Sequence, residues 1–275
     1  MNTLRLKTIS VLFAATLGMA VTGQAFAVDG VILIDQARAM AGNVTSDDSP
    51  GFPVTISTSG SYRLASNLNL GLGGGNTTAI EIRSPAGSVL NVSLDLNGFM
   101  IAGHPFCDFN GQSDVACIPS GTGVGIRIEN GASVSIGNGG IRGMGLHGIS
   151  CSGTCQIDGL IIANNGGSGV AAFGAGAASF TLTRSTIFLN RKGISGSRGL
   201  VQGNVLEFNL GNAVEASFSS LLNNLISGNG GLGLAGTGNG YGVNVFSFNN
   251  GGNAMPQIAA GNIPTGANVC GAGPC

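Results

Sequence analysis

The chain has 275 residues, of which 8% are charged and 50 are glycine, and its formal net charge is −1 at pH 7. So small a charge makes neither a polyanion such as nucleic acid nor an anionic membrane an obvious partner. The hydrophobic content of 43% argues against disorder, since disordered chains are poor in large apolar residues. We therefore expect a folded chain.

Residues 1–27 have the features of a secretory signal peptide. Arg5 and Lys7 precede the apolar run "ISVLFAATLGMAV", and "AFA" (25–27) supplies small residues before a cleavage point after Ala27. A membrane anchor is the alternative, but the run is shorter than the about 20 apolar residues that a bilayer requires. Removing the leader takes away two of the eleven basic residues and leaves a formal charge of −3. We expect an exported mature chain without a transmembrane segment.

Residues 28–53 are predicted to form an N-terminal cap. The stretch "GVILI" (30–34) has the composition of a strand, and a short helix is expected to begin at Asp35, whose side chain suits an N-cap. Such a helix would cover the open edge of the first coil of the repeats that follow.

The segment from residue 54 to residue 252 contains a repeat of about 20 residues. Its clearest columns, with a period of 20, are Asn204, Asn224 and Asn244, then Asn209, Asn229 and Asn249, and then Ile194, Val214 and Leu234. Looser copies upstream are marked by glycine–apolar pairs such as Gly125-Ile126 and Gly169-Val170. This period is typical of a solenoid, in which each unit packs only against its neighbours.

The pattern within each repeat predicts short parallel strands. The glycines would interrupt amphipathic helices, and the column Leu206, Ile226, Phe246 is apolar while the next column, Glu207, Ser227, Ser247, is polar. Asparagine is expected at the corners between strands, because it tolerates a left-handed backbone and its amide can form a hydrogen-bonded ladder from coil to coil. The predicted structural ladder is Asn190, Asn209, Asn229 and Asn249.

The stretches "VSLDLNGFMI" (92–101) and "GYGVNVFSFNNGGN" (240–253) and the repeated phrase N-h-h-x-x-N…G-I resemble secreted β-helix proteins of Gram-negative bacteria, in the pectin-lyase-like superfamily. The opening "VDGVILIDQARAMAGNV" (28–44) also resembles one group within it that has no assigned activity. The resemblance implies an all-β fold, a single-stranded right-handed parallel β-helix with a short N-terminal capping helix. It also implies a location in the periplasm, on the outer surface or outside the cell, and it leaves the oligomeric state open.

The catalytic motifs of this superfamily are missing. Its hydrolases use paired carboxylates, and its lyases use a base with a cationic partner, usually with Ca²⁺ held by carboxylates. The N-T-D, D-D, G-H-G and R-I-K set is absent, "LHGIS" (146–150) being the nearest fragment, and "RSPAGS" (83–88) lacks the second arginine of R-x-P-x-x-R. No cofactor is implied, since Ca²⁺ has no recognisable set of ligands, and catalysis stays an open question.

Two places concentrate polar side chains. The insert "GHPFCDFNGQSDVACIPSGTG" (103–123) is long for a solenoid corner and is either a packed flap or a ligand loop. Its candidate ligand residues are His104, Phe106, Asp108, Phe109 and Asp114. The second place has the composition of solvated ion pairs and comprises Arg184, Arg191, Lys192, Arg198, Glu207 and Glu215. Most of the 13 phenylalanines are expected inside the coils, with Phe106 and Phe109 as exceptions.

The six cysteines form three close pairs, which are Cys107 with Cys117, Cys151 with Cys155, and Cys270 with Cys275. An export signal and an even count favour local disulfides, each stabilising one corner of the fold. A metal site is the alternative, but there is no pair of C-x-x-C units, and His104 and His147 are the only histidines. We therefore expect no metal, and a disulfide that clips residues 253–275, an irregular C-terminal tail.

Three functions stay open. The first is an exported structural or binding protein whose partner is a polysaccharide or a cell-surface component, and the scarcity of titratable groups favours it. The second is a polysaccharide-modifying enzyme, a lyase, epimerase or hydrolase, which rests on fold analogy. The third is an assembly in which coils stack end to end through open strand edges. Three charged side chains meeting in one lateral groove would favour the enzyme.

Overall fold

The computed structural model describes residues 30–71, 75–85, 88–103, 120–173, 179–271 and 273–275. The predicted signal peptide lies outside this part of the chain, as do most residues of the 103–123 insert. The compact unit Val31–Cys275 is a parallel β-helix, which confirms the predicted fold class. In the part described, no helix is long and apolar enough to cross a membrane.

One short helix, α1 (Gln36–Ala41), and a series of short strands make up the described unit. The strands are β1 Ile32–Ile34, β2 Val54–Ile56, β3 Gly60–Leu64, β4 Leu68–Asn69, β5 Ile80–Ile82, β6 Leu90–Asp95, β7 Met100–Ala102, β8 Ile126–Ile128, β9 Ala132–Arg142, β10 Ile149–Cys151, β11 Thr154–Ala163, β12 Ser168–Ala172, β13 Ser179–Thr183, β14 Thr186–Phe188, β15 Lys192–Ser197, β16 Gly199–Gln202, β17 Val205–Glu207, β18 Val214–Ser217, β19 Ser220–Leu222, β20 Leu225–Ser227, β21 Leu234–Ala235, β22 Gly240–Gly242, β23 Val245–Ser247, β24 Ile263–Pro264, β25 Val269–Cys270 and β26 Gly273–Pro274.

The strands stack into three lateral faces. Eight of them form sheet B, in the order β2-β5-β8-β10-β12-β15-β18-β21. The others form sheet A, which has two rows joined by the long strands β9 and β11. Row A1 runs through β3, β6, β13, β16, β19, β22 and β24, and row A2 runs through β4, β7, β14, β17, β20, β23 and β25. A typical coil therefore adds one strand to each face.

The interior columns are those that the repeat predicts. Leu206, Ile226 and Phe246 are in register and fully buried. The glycine–apolar pairs place a stacked aliphatic column in sheet B, comprising Ile80, Ile126, Ile149, Val170, Ile194, Val214 and Leu234. A Cβ on Gly169 would lie 2.7 Å from Cγ2 of Ile187 and 2.9 Å from the carbonyl oxygen of Gly193. Glycine is therefore required where this corner closes onto the core.

The corners carry a residue at positive φ directly before the ladder residue. Between row A2 and sheet B, Leu189, Phe208 and Phe248 have φ of 55°, 52° and 53°. The ladder asparagines that follow them, Asn190 and Asn209 among them, are not in the left-handed region. The expectation that the ladder residue itself takes this conformation is wrong. The chain turns one residue earlier, because the ladder amide must point inward to reach the neighbouring coils.

The predicted ladder is present and is one of three in the described chain. Asn190 donates from both its backbone N–H and its Nδ2 to Oδ1 of Asn209, at 3.0 and 3.1 Å. Nδ2 of Asn209 in turn donates to the carbonyl of Ile187 and to Oδ1 of Asn229. The ladders comprise Asn165, Asn190, Asn209, Asn229, Asn249 and Gln257, then Ser185, Asn204, Asn224, Asn244 and Asn268, and then Ser219, Asn239 and Asn262.

The N-terminal end of the solenoid is closed by carboxylates and α1. Asp35 caps the helix as predicted, its Oδ1 accepting from the N–H of Arg38 at 2.7 Å, and Ala39 packs into the core. Buried Asp48 accepts from the N–H groups of Thr55 and Val44, at 2.7 and 3.0 Å. Asp48 therefore bonds an edge amide of β2 that a further strand would otherwise pair with.

The C-terminal residues 253–275, which the sequence pattern presents as an irregular tail, extend the solenoid. Strands β24 and β25 pair in parallel with β22 and β23, and Asn262 and Asn268 extend two ladders. Their spacing from the preceding ladder residues is 23 and 24, so an alignment with a period of 20 misses them.

Two of the three predicted disulfides lie in the described chain. The bond between Cys270 and Cys275 closes the β25–β26 hairpin, and the bond between Cys151 and Cys155 joins β10 to β11, as predicted. Neither Cys107 nor Cys117 belongs to the described residues. The disulfide expected between Cys107 and Cys117 is therefore not among those that the structure shows, and it stays a prediction.

Candidate functional site

The outer face of sheet B carries titratable side chains on successive coils. Glu81 on β5 is in register with Arg127 on β8, and His147 lies in the turn before β10, the next strand of the sheet. Neighbouring strands are about 4.8 Å apart, so these three side chains occupy adjacent coils. The single-sequence pattern could not reveal this set, because 46 residues separate Glu81 from Arg127 and the repeat is irregular there.

His147 is fixed by the backbone of the following coil. Its Nδ1 accepts from the N–H of Ser168 at 3.0 Å, so a neutral ring carries its proton on Nε2. Burial lowers the pKa of His147 from its ordinary value of 6.5, and the positive charge of Arg127 lowers it further. The imidazole is therefore neutral at pH 7 and offers Nε2–H as a donor next to a cation.

Further along the same face, the charges are paired. Nζ of Lys192 lies 2.8 Å from Oε2 of Glu215, which also accepts from Nδ2 of Asn212 at 3.0 Å. The hydrogen bond from Lys192 is the main cause of a lowered pKa at Glu215. Both side chains are 39% exposed, so the pair contributes at most about 1 kcal/mol.

The six charged residues singled out in the sequence are spread over the molecule. Arg184 pairs with Asp158 on row A1, as expected for a solvated ion pair, and Lys192 pairs with Glu215 on sheet B. Glu207 faces outward on row A2, and Arg191 and Arg198 occupy two different corners. Residues close in sequence therefore fall on different faces, because one coil passes through all three.

A groove of about 600 Å³, wide open to solvent, lies along the corner between sheet B and row A1. Leu200 and hydroxyl-bearing side chains of row A1, Ser179, Thr181 and Ser220, line it. Arg198 and Phe218 border it, and both take the left-handed backbone, with φ of 56° and 54°.

Phe218 presents an aromatic ring to this groove. Its side chain is 72% exposed. Its Cδ1 and Cε1 lie 3.0 Å from the point that a Cβ on Gly238 would occupy, so the ring rests against the backbone of the next coil. A supported ring beside a guanidinium and several hydroxyls offers an apolar surface and hydrogen-bonding groups to one ligand.

The expectation that most phenylalanines fill the interior is wrong for the nine that the structure describes. Only Phe180 and Phe246 are buried, whereas four are more than half exposed: Phe173, Phe208, Phe218 and Phe248. An interior ring needs space that the next coil rarely leaves. Phe180 fits because Gly199 in the next coil has no side chain, and a Cβ there would lie 2.2 Å from the ring. A phenylalanine directly before an inward polar residue, as in Phe208-Asn209, is therefore expected to have an exposed ring.

The insert at 103–123 is described only at its ends, by Gly103 and residues 120–123. Its candidate ligand residues lie outside the described residues and stay predictions; they are His104, Phe106, Asp108, Phe109 and Asp114. The disulfide expected within this insert, between Cys107 and Cys117, also stays a prediction. Across the described ranges, no three His, Cys, Asp or Glu side chains are grouped so that they could hold a metal ion.

No family model and no curated protein matches the chain. Among solved structures, the A-module of mannuronan C-5 epimerase AlgE4 from Azotobacter vinelandii overlaps with 73% of this chain and 72% of its own, at 15% identity and a TM-score of 0.40. ORF18 of Geobacillus virus E2 overlaps with 86% of this chain and 60% of its own, at 13% identity and a TM-score of 0.28. The parallel β-helix is established by strand register, independently of both overlaps.

Proposed function

We propose that this protein is an exported β-helix that binds an extended acidic polysaccharide in the groove between sheet B and row A1. The observation that carries the proposal is the exposed ring of Phe218, supported by Gly238 and placed beside Arg198. The disulfides Cys151–Cys155 and Cys270–Cys275 suit an oxidising compartment and support export.

An acidic ligand suits this groove better than a neutral one. A guanidinium has five N–H donors, so Arg198 can keep an existing partner and still bind a carboxylate. The ring of Phe218 supplies the contact for the C–H face of a sugar, and the hydroxyls of Thr181 and Ser220 supply hydrogen bonds. A groove open along the coil axis accepts a chain, whereas a closed pocket would select a monosaccharide.

The test is calorimetric titration of the mature protein with acidic and neutral polysaccharides. Phe218→Gly keeps the left-handed backbone and removes only the ring, and we expect it to weaken acidic polysaccharide binding about tenfold. Phe248→Gly is the matched control, because Phe248 is 63% exposed and has φ of 53° at a different corner. Absence of binding by the folded protein, or equal losses in both variants, would count against the groove.

A second candidate is a polysaccharide lyase or epimerase on sheet B, favoured by Glu81, Arg127 and His147 on adjacent coils. Arg127 would neutralise a uronate carboxylate, and Nε2–H of His147 would donate a hydrogen bond to a developing oxyanion. Incubation with polyuronates, followed by absorbance of unsaturated ends, tests this role. Activity that Arg127→Ala and His147→Gln both abolish would establish it, and silence across the panel would leave binding as the function.

A further inference from the structure

Row A2 carries an exposed surface in its last coils that the groove does not include. We define the A2 strip as the outward residues of β17, β20 and β23 together with two corner phenylalanines, namely Val205, Glu207, Phe208, Leu225, Ser227, Val245, Ser247 and Phe248. Leu225 and Val245 are both 39% exposed, and with Val205 they form one apolar row along the coil axis. The three strands are paired without a register shift, so their outward side chains form straight rows along the coil axis.

Polar groups form a second row beside the apolar one. Glu207, Ser227 and Ser247 are in register, and the hydroxyl of Ser247 donates to that of Ser227 at 3.0 Å. Glu207 is the only charged residue of the strip, and within the described chain it forms no ion pair. The exposed Arg191 belongs to the preceding coil. The strip's own residues therefore offer no cation to a polyanion, whereas they present a carboxylate and a hydroxyl pair to a neutral ligand.

Two exposed aromatic rings lie at the edge of the strip, two coils apart. Phe208 and Phe248 occupy the same corner column, with Gly228 between them. Two coils separate them, which corresponds to about 10 Å along the axis. Cε1 of Phe208 lies 2.7 Å from the point that a Cβ on Gly228 would occupy, so this ring too rests on the glycine of the next coil. Their exposed fractions are 56% and 63%.

We propose that the A2 strip is a second glycan-binding site, for a neutral, extended β-1,4-linked polysaccharide that lies parallel to the coil axis. The two-coil spacing between the corners that carry the rings is close to the length of one disaccharide unit in such a chain, so two equivalent sugars stack on Phe208 and Phe248. The apolar row contacts the sugar C–H groups, and Glu207 and Ser227 accept from hydroxyls. This site is independent of the groove at Phe218 and does not rest on the function proposed for it.

The experiment titrates the mature protein with neutral β-1,4-linked hexasaccharides of glucose, mannose and N-acetylglucosamine, and with a hexauronate. We expect at least one neutral hexasaccharide to bind, and Phe248→Gly to weaken it about tenfold. Phe248→Asn is a second variant, since Asn164 occupies the left-handed position in the same corner column. Phe218→Gly should leave neutral binding unchanged, and Glu207→Lys should allow the hexauronate to bind at the strip.

Three results would overturn the proposal. One is the absence of binding by all neutral hexasaccharides while circular dichroism shows an intact fold. Another is binding that Phe218→Gly, but neither Phe248 variant, removes, which would assign neutral sugars to the groove. The last is concentration-dependent dimerisation in sedimentation that Phe248→Gly abolishes, which would make the strip an interface between copies of this chain. Failure of acidic polysaccharide binding alone would affect only the groove.

Discussion

The coils after Asn165 repeat one another closely, whereas the coils before it share only strand register. Val205 pairs with Leu225 at a separation of 20 residues, but Ile80 pairs with Ile126 across 46. The early corners are held by individual contacts, such as the N–H of Met100 donating to Oδ1 of Asn67 at 2.9 Å. The late corners are held by the ladders. Two ways of closing a coil therefore coexist in one solenoid.

The difference shows what the ladder does. Each interior asparagine bonds the coil on both sides, as Asn209 bonds Asn190, Asn229 and the carbonyl of Ile187. An insertion at such a corner would separate these partners, and from Asn190 to Asn249 the ladder residues recur every 19 or 20 residues. Where no ladder exists, the chain accepts insertions, and the long segment 103–123 lies among those early coils.

The largest expected effect is the loss of a mid-ladder amide. Asn209→Ala leaves the buried N–H of Asn190 without its acceptor and removes the Nδ2 donor to the carbonyl of Ile187 and to Oδ1 of Asn229, and we expect a loss of about 3 kcal/mol of unfolding free energy. Asn67→Ala, at an exposed early corner, removes one hydrogen bond and should cost about 1 kcal/mol. Urea unfolding at equilibrium measures both, and equal losses would show that the two halves are held in the same way.

The next effect comes from closing the corner next to the ladder. In Gly169→Ala the new methyl group meets Cγ2 of Ile187, the carbonyl of Gly193 and, at 3.1 Å, Nδ2 of Asn190, so we expect a loss of about 2 kcal/mol. Ala213 occupies the same column and is tolerated there, which provides a matched control. Ala213→Gly should cost less than about 1 kcal/mol. Thermal unfolding of both variants tests whether the space around each residue, and not its position in the column, determines the loss of stability.

Much of the structure of the late coils could be predicted from the sequence, because a strict period of 20 residues shows which residues lie in register. The inward column Leu206, Ile226, Phe246 and the ladder through Asn209 follow from alignment alone. The position of the left-handed residue did not follow, because Leu189, Phe208 and Phe248 are unfavourable residues for that conformation. Only the stacking of coils shows that the inward amide, and not the turning residue, requires asparagine.

The candidate sites could be predicted less well than the fold. Glu81 and Arg127 come into register, with His147 in the turn of the next coil, only because coils of unequal length stack on one face. The outer rings depend on glycines one coil away, as Phe218 depends on Gly238, and a single repeat does not reveal such a pair. Which side chains from different coils lie side by side depends on strand register. In the early coils, whose lengths vary, the sequence alone does not determine that register.

A smaller effect is expected at the last coil, where the ladders end. Replacing Cys270 and Cys275 by alanine opens a loop with a sequence separation of 5 and should cost about 2 kcal/mol. The loss should be local, because β25 pairs with β23 and protects its edge. Hydrogen exchange should therefore accelerate at Phe246, whose carbonyl accepts from the N–H of Gly271, and stay unchanged at Leu206. Uniform acceleration would show that the terminal cap controls the whole ladder half.

The smallest effect is a pH dependence at the boundary between the two halves, where His147 accepts from the N–H of Ser168. Its folded pKa lies below the ordinary 6.5, mainly through burial, so between these two values the unfolded chain binds more protons. Stability therefore falls as the pH drops through 6.5 toward the folded pKa. The lowered pKa values of Asp158 and Glu215 act in a more acidic range.

Urea midpoints at about pH 7.5 and about pH 5.5 bracket the ordinary histidine pKa of about 6.5. The wild-type midpoint should fall more between them than that of His147→Gln, which keeps a side-chain acceptor for Ser168 but does not titrate. Subtracting the variant also removes any contribution from His104. Equal falls would mean that protonation of His147 is not linked to unfolding. The backbone pairing between β10 and β12 would then be what holds the first ladder coil against the coil before it.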